Sequence, residues 1–303
     1  MRLLLIVNSS ASSVTARGKV VIQKALSADH DVTAVETSRR NHATRLALGA
    51  AKDGVDVVVV LGGDGTLNEA ANGLVHTETA LAALPGGSTN VFARTIGLPN
   101  DPIEATGALL DGLAHERIEK VGVGTVNGRA FLFHVGVGFD AAVVEQVERR
   151  SQLKRWVSHP LFVFSAFTTW MRHYDRAGSR FEVDGVPGAF TIVLNTNPYS
   201  YLGNRPLDLV PEATLDRGLA CVHFRSLGLW PLLHAAGGAL AGTDIRRQRG
   251  LDVRTDLDRV HIASERPFPY QVDGDYLGET TALDLRHEAG ALRLVLPARE
   301  SGG

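Results

Sequence analysis

The stretch VVVVLGGDGTLNEAANGL, residues 57–74, runs a set of valines into Gly62, Gly63, Asp64 and Gly65. Three glycines without Cβ atoms let backbone N–H groups close on phosphate oxygens, and the amides and positive dipole end of a helix starting here make a ready anion site. An acid at the tip weakens a purely anionic nest by repulsion unless a cation such as Mg2+ stands between it and the phosphate. Such a loop suits the holding of a metal–phosphate group; a plain tight turn is the alternative. Thr66 and Glu69 have the spacing of a capping box, and Leu67, Ala70, Ala71 and Leu74 recur at i, i+3, i+4 and i+7. That pattern predicts a helix beginning at the loop.

Two further strings carry polar groups on turns. In LPGGSTNVFA, Ser88, Thr89 and Asn90 follow the apolar run ALAAL and can cap a helix that begins near Val91 and ends at Gly97. In QVDGDYLG, Asp273 and Asp275 flank Gly274, a spacing that a type I′ hairpin also uses. The histidines are scattered, with no HExxH, and neither a GxSxG elbow nor a Walker A string occurs, so zinc hydrolysis and serine-hydrolase chemistry lack support.

The elements that must position these groups divide into two textures. Strands are predicted at 2–8, 31–37 and 55–61, with helices at 15–28 and 41–53. Continuous apolar strands separated by helices imply a parallel sheet covered on both faces, a doubly wound α/β domain whose ligands sit beyond the carboxyl ends of its strands. After about residue 120, glycine-punctuated runs such as AFTIVLNTN, LACVHFR and ALRLVLP predict an antiparallel, sandwich-like second domain, with one helical interruption near 141–174. The expected division is 1–120 and 121–303, with the C-terminal tail able to return to the first domain.

The 303 residues exceed the roughly 100–200 usual for one domain. A net charge of −2 gives no nucleic-acid footprint. The single cysteine, Cys221, excludes an internal disulfide and a cysteine-rich metal site and fits a reducing cytoplasm. The run LLLIV is shorter than the roughly 7–15 residues of a signal-peptide core. No stretch reaches the roughly 18 apolar residues of a membrane span, so a soluble cytoplasmic protein is expected.

GGDGTLNEAANGL resembles the signature of the diacylglycerol-kinase catalytic family, which includes bacterial lipid kinases and is similar to sphingosine and ceramide kinases; NAD kinases and phosphofructokinases share only its GGDG core. The likeness continues in PGGSTNVFARTIGLP (85–99), GVGFDA (136–141), PEATLDRGL (211–219) and QVDGD (271–275). It implies an ATP-binding α/β domain of the NAD-kinase and phosphofructokinase type, a β-rich lipid domain and a nucleotide held in a cleft between them. Asn8, Thr37, Gly62 to Glu69 (with Leu67 and Asn68 among them), Ser88, Thr89 and Asn90 then contact the nucleotide, Asp64 and Asp216 serve Mg2+, and the Asp273/Asp275 pair supplies the base. The chain departs from the family pattern where NSSAS replaces Asn-Pro-x-x-Gly, where Val91 and Gly122 stand at acidic positions, at Arg217, and where Asp275 replaces Glu.

The resemblance implies an ATP- and Mg2+-dependent kinase acting on the hydroxyl of a diacylglycerol-like membrane lipid. The aromatic-rich segment Lys154–Tyr174 offers either a core-covering helix or a peripheral contact with the inner face of the membrane. The alternatives are an NAD-kinase-like or sphingoid/ceramide kinase, or a nucleotide-binding regulatory protein whose transfer activity has lapsed. Oligomeric state, a homodimer included, is left open by the sequence.

Overall fold

The structure is a computed structural model that describes residues 1–138, 181–226 and 250–298, with scattered positions between 234 and 248. The helix expected near 141–174, the segment Lys154–Tyr174 and the end of GVGFDA lie outside the described residues. The chain forms two compact units, Met1–Val123 with Gly290–Gly303, and Gly124–Ala289.

In the first unit the strands are β1 (Arg2–Val7), β2 (Asp31–Glu36), β3 (Val57–Gly62) and β4 (Ala80–Pro85). They pair in parallel in the order β2-β1-β3-β4, with Val57 to Gly62 in register with Ala80 to Pro85. β3 and β4 are buried at every position. That is why both read as unbroken apolar runs. The connecting helices are α1 (Ala16–Leu26), α2 (His42–Lys52), α3 (Asp64–Leu74), the short α4 (Val91–Thr95) and α5 (Pro102–Ala114).

Right-handed crossovers in this strand order put α1 on one face and α2 with α3 on the other. α2 and α3 approach closely because of Gly73: a Cβ there would stand 2.5 Å from the Thr44 carbonyl oxygen. α5 packs beside α1. It was not expected from the sequence, although its start carries a strong signal. Asp101 is the N-cap, accepting from the N–H groups of Ile103 and Glu104 at 2.8 and 3.0 Å, and Pro102 opens the helix.

The second unit is the expected β-rich body. Its antiparallel sheet runs β14 (Leu251–Leu257), β13 (Leu219–Phe224), β10 (Phe190–Leu194), β7 (His134–Gly138), β15 (Arg259–Val272), β16 (Asp275–Val295). β8 (Phe181–Val183) pairs with β15 and with β9 (Val186–Gly188); β5 (Ile118–Val126) pairs with β16 and with β6 (Arg129–Phe131). A separate hairpin joins β11 (Ser200–Leu202) to β12 (Arg205–Leu207).

Period-two alternation divides the apolar side chains between two cores. Val135, Val137 and Val193 enter one, with Phe131, Phe268 and Val272. Phe190, Ile192 and Leu194 enter the other, with Val222 and Phe224.

The end of β16 belongs to the first unit. Leu294 pairs in parallel with Leu81 of β4, the Ala291 carbonyl accepts the N–H of His76 at 2.8 Å, and the Leu296 N–H donates to the Arg117 carbonyl at 2.9 Å. A Cβ on Gly112 of α5 would stand 2.2 Å from the Leu296 carbonyl oxygen, so the returning chain lies directly on that helix.

Candidate functional site

In the first unit three loops meet at the carboxyl ends of β1, β3 and β4. Asn8 closes β1: its N–H donates to the Leu61 carbonyl at 2.9 Å, and its Oδ1 accepts from the Ser10 N–H at 3.1 Å. Its Nδ2 donates to Thr66 Oγ1 at 2.9 Å, tying the end of β1 to the first turn of α3. Thr37 extends the β1–β2 ladder by one step, its N–H donating to the Val7 carbonyl at 2.8 Å.

The glycines are needed first for loop-on-loop packing. A Cβ on Gly86 would lie 2.9 Å from the Gly62 Cα and 2.8 Å from Val14 Cγ2, and one on Gly87 would lie 2.9 Å from the Gly63 Cα. The Gly86 N–H donates to the Gly62 carbonyl at 2.8 Å, and Ser13 pins the serine-rich loop on top through its N–H to the Gly86 carbonyl and its Oγ to the Gly87 carbonyl. At Gly62 a Cβ would stand 3.0 Å from the Thr66 Cβ, so part of the space that the missing Cβ leaves is taken by the protein itself, whereas at Gly63 the nearest atom would be 3.5 Å away, an ordinary contact.

Helix boundaries and caps differ from expectation. α3 begins at Asp64 on Gly63, and among the described residues it has no side-chain cap. Glu69 instead caps α2: its carboxylate accepts from the N–H groups of Asn41 at 2.8 Å and Ala43 at 3.2 Å, where the left-handed Asn41 (φ 62°) makes no side-chain cap of its own. Leu67 and Asn68, expected at the nucleotide, are interior positions of α3 with 4% and 1% exposure, and the Leu67 N–H is spent on the Gly63 carbonyl.

Asp64 faces α4. Its two oxygens accept from the N–H groups of Val91 at 2.9 Å and Phe92 at 3.1 Å, as a capping acid should at a positive helix end. Asn90, expected with Ser88 and Thr89 as a possible cap, is buried in a left-handed conformation (φ 51°) and brackets Gly87, accepting its N–H at 2.7 Å and donating to its carbonyl at 2.9 Å. A second donation, to Asn100 Oδ1 at 2.8 Å, links this loop to the start of α5. Ser88 is exposed and Thr89 half-buried at the loop tip. Behind the serine-rich loop lies a cavity of about 270 Å3, lined by Ser13, Val14, Lys19, Leu61, Asn100 and Ile103 among others, and no motif in the sequence marks it. On its rim Lys19 pairs with Glu36, which holds the Glu36 carboxyl below its usual range with help from Ser9.

The second unit carries the other candidates. Asp216 is exposed on a turn, and the Thr214 hydroxyl, donating at 2.5 Å, is the main reason its carboxyl titrates below the usual range. Asp273 and Gly274 form the two-residue turn of the β15–β16 hairpin, with φ of 48° and 82° and Val272 paired to Asp275. Both positive values belong to a type I′ turn.

The structure separates the two acids of this turn. Asp273 is 3% exposed, and its oxygens accept three consecutive backbone N–H groups, from Leu132 at 2.7 Å and from Phe133 and His134 at 3.0 Å each. Three accepted bonds and near-complete burial make Asp273 an anchor of the hairpin and leave Asp275 the more accessible acid of the pair. Asp275, at the start of β16, is only half-buried. Beside the anchor, the His134 imidazole is buried between Phe133 and Tyr199, and burial pushes its pKa down to about 3.

Among the described residues no three His, Cys, Asp or Glu side chains gather to hold a metal ion. Mg2+ that keeps its waters and arrives on a triphosphate needs no such cluster, only one or two carboxylates nearby.

Residues 2–126 match the family described as Diacylglycerol kinase catalytic domain. A diacylglycerol kinase of Staphylococcus carnosus (strain TM300) is 28% identical over 267 residues, covering 86% of this chain and 84% of the relative. One of Bacillus subtilis (strain 168) is 27% identical over 264 residues, covering 85% and 84%. A solved structure from Bacillus anthracis str. Sterne shares the fold with a TM-score of 0.78 at 24% identity, covering 97% of this chain and 95% of that one. Another from the same source, of a diacylglycerol kinase, gives 0.71 at 22%, covering 97% and 96%. The catalytic-domain match thus falls on the first unit, and the curated diacylglycerol kinases to which the chain is similar align with most of its length.

Proposed function

We propose that this chain is a lipid kinase that transfers the γ-phosphoryl group of ATP to the hydroxyl of a diacylglycerol-like lipid, with Mg2+ accompanying the triphosphate. The observation that carries the proposal is the start of α3: it opens on Gly63 without a side-chain cap, where the β1, β3 and β4 loops converge, inside the residues that match the family. Its first-turn amides and dipole end suit phosphate oxygens. The hydroxyls of Ser88 and Thr89, at the tip of the neighbouring loop, would add donors in this reading. Thr37 and Asn8 border the same edge.

Asp275 is the base in this reading. As the lipid oxygen attacks the γ-phosphorus, the O–H proton passes to the Asp275 carboxylate, the bond to the β-phosphate oxygen breaks and ADP leaves. Mg2+ supplies charge neutralisation on the phosphates. A water-insoluble acceptor makes the chain a peripheral visitor to the bilayer. Among the described residues no helix is long and apolar enough to cross a membrane.

The test offers purified protein labelled ATP and Mg2+ with diacylglycerol, sphingosine, ceramide or NAD in separate reactions, with a chelator control. Label in the phosphorylated diacylglycerol, lost on chelation, is expected. Label in NAD alone, or nucleotide binding without transfer to any acceptor, would overturn the proposal.

A further inference from the structure

In the hairpin tip that carries Asp275, each backbone N–H of the turn has a fixed acceptor. The Asp273 N–H donates to the His134 carbonyl at 2.9 Å, and the Gly274 N–H donates to Gln271 Oε1 at 2.8 Å. Gln271 has no exposed surface. The Asp273 side chain then returns to the same strand start and takes the N–H groups of Leu132, Phe133 and His134. Asp273 and His134 are therefore joined in both directions, through main chain and side chain.

A type I′ turn needs nothing of this kind to close, since many such turns stand in solvent on Asn-Gly or Asp-Gly alone. Burying a carboxylate under three donors is costly unless every bond is made, and here it holds a turn of only two residues. The residue that gains is the next one along.

We infer that Asp273, with Gln271, is a positioning residue: it clamps the hairpin tip to β7 so that the Asp275 carboxylate is held in one place before the acceptor arrives. The inference rests on Asp275 being the base. Pre-placing a base removes the need to order it during the reaction, and a displacement of about 1 Å can cost 10²-fold in rate. Asp273 touches neither substrate nor reacting atoms; its effect passes through the backbone of Gly274.

The experiment compares D273N and D275N with the unchanged protein, recording kcat, the KM for ATP and the pH profile of kcat/KM. Asparagine tolerates the left-handed conformation and keeps one acceptor oxygen, but sets an amide N–H2 against a backbone N–H. D273N should lower kcat by about 10²-fold, leave the KM for ATP within about twofold, and keep the acid limb of the profile, because the base is still present. D275N should collapse kcat and abolish that limb. If D273N destabilises the fold, Gln271→Met reads the same clamp, with kcat down by up to about tenfold and KM unmoved. D275N dead with D273N and Gln271→Met fully active overturns the clamp alone. Normal turnover in D275N overturns the reading of the base, and an acid limb lost in D273N but kept in D275N makes Asp273 the base.

Discussion

Asp64 caps a helix 27 residues further along the chain, its carboxylate receiving the N–H groups of Val91 and Phe92 at 2.9 and 3.1 Å. The acid at the tip of the glycine loop thus has a structural duty independent of any nucleotide. D64A should destabilise the first unit by about 1–2 kcal/mol, the range for a lost helix cap, and D64N by less. Hydrogen exchange at Phe92 and Arg94 reads this directly. Turnover lost with exchange unchanged would show that the carboxylate serves the nucleotide rather than α4.

The loop-on-loop packing gives a second outcome. Gly86→Ala drives a methyl group to 2.8 Å from Val14 Cγ2 and 2.9 Å from the Gly62 backbone. Overpacking of this kind costs about 1–3 kcal/mol. A thermal melt should register the loss, and limited proteolysis should show faster cutting in the loop that holds Ser13.

His134 makes stability pH-dependent in a window set by its two states. Burial lowers its pKa from 6.5 to about 3 in the folded chain, so between those values the unfolded chain takes up a proton that the folded chain refuses. Stability is present in full above about 6.5 and falls with pH toward 3, at no more than about 1.4 kcal/mol per unit. Urea melts at stepped pH should show a shallower slope in His134→Gln. An equal slope would mean that other groups carry the acid sensitivity.

Cys221 gives a built-in report on the second unit. The thiol is buried in β13, and desolvation pushes its pKa up to about 12. The thiolate is the reactive form, so alkylation at pH 8 should be very slow in the native protein and rapid in denaturant. Its native rate then measures opening of the core around Val193 and Leu219. Rapid native labelling would show that this core opens readily.

The fold was legible where one physical requirement dominates a run of residues. β3 and β4 must be apolar at every position because both faces are covered, and they read that way from the sequence. The second unit is legible as short β runs separated by glycine-containing turns. Long-range substitution of caps was not legible: Thr66 and Glu69 have capping-box spacing, yet Glu69 serves α2, and Asp64 does for α4 what Ser88, Thr89 and Asn90 were expected to do. Local spacing registers only partners a few residues away. The pair Asp273 and Asp275 reads as two equivalent acids for a similar reason, because the donors that distinguish them lie about 140 positions earlier. α5 was missed although Asp101 and Pro102 mark its start.

The return of residues after Gly290 to pair with β4 means that the sheet of the first unit is finished only by a segment that follows the whole second unit along the chain. A fragment ending at residue 126 would expose β4 as an edge of six apolar residues, while the opposite edge, β2, stays shielded by its polar alternation. Bare apolar edges recruit other strands. Such a fragment should self-associate on release, and a synthetic peptide carrying residues 290–298 should restore a monomer.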